Sequence, residues 1–145
     1  MRKAVYTSDV PGFGPYSQAV KGGRLIFVSG QLALDPATRQ IIDGDARQQT
    51  ERALENVAAV LKAAGSSLDK VVRCGVFLED IGDFEAMNDV YAKVFGPHPP
   101  AQTTVEVARL AKDSLWRSMQ SLRNRTDARG HLGSEEPQQP YHHHR

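Results

Sequence analysis

Between residues 45 and 64 the apolar positions Ala53, Leu54, Val57, Val60, Leu61 and Ala64 recur at three- and four-residue spacing, the period of one helix face. Asp45 ahead of this stripe suits an N-cap, and Gly65 behind it suits the left-handed position that closes a helix. The pattern predicts a helix over Asp45–Ala64. A second stripe of Phe84, Met87, Val90, Tyr91 and Val94 predicts a helix over Phe84–Phe95, stopped by Gly96-Pro97. Short β-prone runs predict strands at Lys3–Thr7, Ser17–Lys21, Arg24–Ser29, Val71–Leu78 and Thr103–Ala108. Gly22-Gly23 between the second and third runs is a hairpin signal. Asp35-Pro36 and Asp43-Gly44 punctuate a loop over residues 34–44. This order predicts an α+β fold, with two helices on one face of a single mixed sheet.

The pattern breaks after Leu115. Residues 116–145 are rich in Arg, Gln, Ser, His and Gly with little apolar period, a composition that predicts a disordered tail. The expected division is a folded domain over 1–115 and a divergent tail over 116–145. His142-His143-His144 in that tail make a poor specific metal site, and its arginines lack interleaved aromatics for nucleic acid.

Composition narrows the class. A chain of 145 residues is one domain in the simplest reading and long enough for a core without disulfides or metal. A formal net charge of +1 gives no global attraction to nucleic acid or membrane. Cys74 is the only cysteine, which excludes an internal disulfide and fits a reducing compartment. It lies mid-strand among Val71, Val72, Val76 and Phe77 and reads as a small buried thiol. No apolar run reaches membrane-spanning length, and the first residues lack a signal-peptide core, so a cytoplasmic protein is expected.

Candidate chemistry concentrates in Gly14-Pro15-Tyr16-Ser17-Gln18-Ala19-Val20 and in Phe27-Val28-Ser29-Gly30-Gln31-Leu32-Ala33-Leu34-Asp35-Pro36. Core strands do not need such turn residues, hydroxyls and amides. Where backbone groups and a phenol meet a small polar ligand, they suit well. With Thr50, Ala53-Leu54-Glu55-Asn56, Gly75-Val76-Phe77-Leu78, Met87-Asn88-Asp89-Val90-Tyr91, Pro99-Pro100-Ala101 and Val105-Glu106-Val107-Ala108-Arg109-Leu110, the chain over residues 3–115 resembles the RidA/YjgF family.

That resemblance implies a chorismate-mutase-like protomer in a homotrimer, with small-molecule clefts at the subunit interfaces. It implies hydrolysis of reactive enamines and imines to 2-oxo acids plus ammonia, without metal or organic cofactor and without nucleic acid or membrane partners. It places Tyr16, Ser29, Gly30, Asn88 and Gln102 at the ligand. Two positions depart from the family. Gln102 stands where an arginine binds the substrate carboxylate, and Arg117 stands where a glutamate holds the attacking water. A neutral amide in place of the charged fork argues for a less acidic ligand. The catalytic residues therefore stay unassigned, and a non-catalytic metabolite- or partner-binding trimer is the alternative.

The resemblance also implies a closing strand of the type Leu-Val-Glu-Ile-Asp-Ala-Val-Ala. Written as CTG GTG GAG ATC GAT GCA GTC GCT G, it loses one G to become CTG TGG AGA TCG ATG CAG TCG CTG. This translates as Leu115-Trp116-Arg117-Ser118-Met119-Gln120-Ser121-Leu122, the text of this chain. Residues 116–145 are thus either a natural tail or out-of-frame translation, and in both cases the sheet is expected to lack its last strand.

Overall fold

Asp45 caps the first helix, α1 (Ala46–Ala63): its carboxylate accepts from the Gln48 N–H at 3.0 Å. The Gln48 side chain accepts in return from the Asp45 N–H at 3.1 Å, a reciprocal capping box. Behind it Gly65 adopts φ 79°, where any other residue would meet a Cβ penalty. The second helix, α2 (Phe84–Phe95), spans the predicted stripe. The computed structural model describes residues 2–12 and 14–110, and residues 116–123 as backbone.

Six strands form one sheet: β1 (Arg2–Val5), β2 (Ala19–Gly22), β3 (Leu25–Gln31), β4 (Val71–Leu78), β5 (Ala101–Glu106) and β6 (Trp116–Arg123), in the order β1-β2-β3-β6-β4-β5. β4 and β5 run parallel and the other neighbours antiparallel, which makes the sheet mixed as expected. Boundaries shift by a few residues. Gly22 is still paired, opposite Leu25, so the hairpin turn is Gly23 (φ 58°) and Arg24. β5 begins at Ala101, directly after Pro100, and not at Thr103.

The expected missing strand is a correction. β6 is central in the sheet, paired on one side with β3 and on the other with β4. Without it both neighbours would present an unpaired edge row. Ladder bonds to two strands override the weak β patterning of Trp-Arg-Ser-Met-Gln. Folded structure therefore continues past residue 115. Residues 124–145, with the His142–His144 run, lie outside the described residues.

The core lies between the helices and one sheet face. Ile26, Leu54, Val57, Val60, Leu61, Cys74, Val76, Leu78 and Met87 are fully buried there. The opposite face keeps Leu25, Phe27, Val72 and Val105 exposed by 39–48%. Among the described residues no helix is long and apolar enough to cross a membrane.

Asn56 ties α1 to the segment that follows β3. It is fully buried, and its Nδ2 donates to the carbonyls of Leu32 (3.0 Å) and Leu34 (2.9 Å). Its Oδ1 accepts from Arg52 Nη2 at 2.8 Å, and Arg52 also pairs with Glu55. Asn56→Ala would leave two carbonyls unpartnered, so a loss of about 2–4 kcal/mol is expected in denaturant melts. An unchanged midpoint would remove this anchoring role.

Candidate functional site

The loop between β1 and β2 is held in place by its own motif. Gln18 is buried: its Oε1 accepts from the Thr7 N–H (2.6 Å), and its Nε2 donates to the carbonyls of Val10 (2.8 Å) and Thr7 (3.2 Å). Gln18 is thus a structural pin, a role its polar character did not announce. Tyr16 is half exposed. Its ring lies against Gly14, where a Cβ would come within 2.5 Å of Cε1, so any other residue there would turn the Tyr16 ring away.

Ser29 joins this loop to β3. Its hydroxyl donates to the Ser17 carbonyl at 2.6 Å, and its N–H donates to the Gln18 carbonyl at 2.9 Å. Tyr6 and Ser17 share a further bond between hydroxyls at 3.1 Å. The register to β6 slips between Val28 and Gln31, so Ser29-Gly30 forms a β-bulge that takes backbone groups out of the ladder. A glycine inside a strand pattern is the sequence signal for such a bulge. Tyr16, Ser29 and Gly30 therefore cluster at one end of β3. A cavity of about 330 Å³ at the β1–β2 loop is lined by Tyr6, Thr7, Gly12, Gln18, Pro36 and Arg39, and Tyr16, Ser29 and Gly30 are not among its lining residues.

Asn88 and Gln102 lie elsewhere. Both are partly buried, on α2 and β5. Gln102 registers with Cys74, on the side of the sheet that carries the helices. Its Nε2 donates to the sulfur of Met87 at 3.7 Å, a residue read from the sequence as part of the apolar stripe of α2. In the sheet order β5 stands three strands from β3, about 14 Å at the usual strand spacing. Within one protomer Ser29 and Gly30 on β3 and Gln102 on β5 therefore stand apart. Arg117 on β6 registers with Phe77.

Two titratable groups of the core and the loops have shifted values. Burial, with the Cys74 thiol beside it, pushes the Tyr91 phenol above its ordinary value, so it stays protonated. Cys74 and Tyr91 read as core packing and not as a nucleophile with a base. The Asp83 carboxyl is raised by burial and by the neighbouring Asp80 and Asp45.

The family described as endoribonuclease L-PSP matches residues 7–116. A RutC family protein of Pyrococcus horikoshii is 47% identical over 116 residues, covering 79% of this chain and 92% of its own. The 2-iminobutanoate/2-iminopropanoate deaminase of Bos taurus is 43% identical, over 77% of this chain and 82% of its own. Among solved structures, RidA of Psychrobacter sp. superposes with a TM-score of 0.80 at 37% identity, covering 83% of this chain and 98% of its own. The Escherichia coli YjgF gene product gives 0.80 at 35% identity, with coverage of 85% and 99%.

Proposed function

The chain belongs to the RutC/RidA (YjgF) family, and from that membership we propose that it hydrolyses small enamines and imines to the oxo compound and ammonia, with 2-imino acids as its poor substrates. Water adds across the C=N bond to give a carbinolamine, its two protons pass to the nitrogen, and the C–N bond breaks to release ammonia and leave the water oxygen as the carbonyl. The observation that carries this reading is the Ser29-Gly30 bulge, pinned to the Ser17 carbonyl next to Tyr16, with bulge backbone outside the ladder. Such groups suit a small polar ligand. The low rank of 2-imino acids follows from Gln102, which brings no charge to a substrate carboxylate.

The working unit in this proposal is a cytoplasmic homotrimer, in which a second copy supplies the missing half of each cleft. The separation of Ser29 and Gly30 from Gln102 and the exposed Leu25, Phe27, Val72 and Val105 on the bare sheet face support it. Light scattering after gel filtration is expected to give three times the chain mass. A monomer at micromolar concentration would remove the shared cleft. Nucleic acid is not the substrate in this reading, since phosphate binding calls for clustered cations and the net charge is +1.

Ammonia release from imines generated in solution tests the activity. The expected result is decay above the buffer rate, faster for imines without a carboxylate than for 2-iminobutanoate. Decay at the buffer rate for every imine would leave the second reading, a non-catalytic metabolite-binding trimer. Gln102, with its amide turned onto Met87, is the observation that favours it.

A further inference from the structure

A thioether sulfur accepts hydrogen bonds and has none to donate. The Gln102 side chain therefore faces Met87 with its NH₂ end, and its Nε2 lies 3.7 Å from that sulfur. Met87 is fully buried in α2 and cannot move away without opening the core. The opposite end of the amide is Oε1, an acceptor with no partner among the described residues. Gln102 itself is only partly buried, at the edge strand β5.

We infer that Gln102 meets its ligand with the carbonyl oxygen, so that the ligand presents a hydrogen-bond donor there: an amide, a hydroxyl or an ammonium group. This rests on the reading of Gln102 as part of the ligand cleft and narrows its substrate class. A carboxylate at this place would set two acceptors against each other. To receive one, the amide would have to turn over and give up the sulfur. The position has lost a charge and, beyond that, has changed from donor to acceptor. Met87 is then the positioning residue that keeps it so.

The test titrates two matched probes, 2-oxobutanamide and 2-oxobutanoate, into the full chain by calorimetry. The amide is expected to bind about tenfold tighter, the difference one neutral hydrogen bond makes. In Met87→Leu, a swap that conserves volume, the amide N–H is released and the preference should fall toward equality. In Gln102→Leu it should vanish. Thermal melts check that both variants fold. Tighter binding of 2-oxobutanoate by the unmodified chain would overturn this inference and leave the cleft in place. A Met87→Leu chain with the preference intact would overturn the role of the sulfur. Binding of neither probe would remove the cleft reading and the inference together.

Discussion

A Gln102→Arg variant is expected to hydrolyse 2-iminobutanoate with kcat/KM raised at least about 30-fold, because a charged fork replaces a neutral amide at the carboxylate. A charge-assisted pair in a drying cleft contributes on the order of 2–4 kcal/mol, and each 1.4 kcal/mol is tenfold. The guanidinium stays protonated across any practical assay range, so the gain should not depend on pH. It should appear mainly as a lower KM, since the carboxylate is bound in the ground state as well as in the transition state. Position 102 tolerates the longer side chain on physical grounds, being partly buried on an edge strand. The competing imines without a carboxylate should gain nothing or lose. An unchanged kcat/KM for 2-iminobutanoate, in a variant that melts like the parent, would show that the weak reaction has another cause than Gln102.

Much of the architecture was legible in the residues themselves. The α1 stripe and its Asp45 cap were readable because a helix signals its face and its ends locally. β4 was readable from Val71 to Leu78 for a similar reason, a short run dense in β-branched residues. The site was legible only by halves. Tyr16, Ser29 and Gly30 are close in sequence and share a loop and a bulge. That Gln102 stands three strands away follows from the crossover order of the sheet, which no local pattern encodes. Gln18 and Met87 stood in the motifs, but their roles were not readable because they depend on partners distant in the chain, the Thr7–Val10 backbone and the Gln102 amide. β6 was missed because its own residues argue against a strand. It forms between two neighbours that both require a partner.

Replacing residues 116–122 with Val-Glu-Ile-Asp-Ala-Val-Ala is expected to raise the stability of the chain by roughly 2–6 kcal/mol, a large share of a total near 5–15. Positions 116, 118, 120 and 122 of β6 pair with Leu78, Val76, Cys74 and Val28, and Ile26, all of them buried. This chain puts Trp, Ser, Gln and Leu in that row. The one-base restoration of the reading frame puts Val, Ile, Ala and Ala there instead, and moves Glu and Asp to the other row. The expected gain comes from positions 118 and 120, where Ile and Ala replace Ser and Gln in register with Val76 and Cys74, set against the smaller residues at 116 and 122. The sequence comparisons stop where this row begins: the family match ends at residue 116. The text of this chain departs from the expected closing strand at the point where the family match ends, which is what the out-of-frame reading requires. Thermal melts of the two chains decide the energetic claim, with an upward shift of at least about 5 °C expected for the restored strand. The nucleotide sequence across codon 116 decides its origin. A restored chain that melts no higher would mean that Ser and Gln are tolerated in the central row, and the frame argument would lose its physical support. A restored chain that melts higher also regains a glutamate at position 117, and its imine hydrolysis is expected to rise with it.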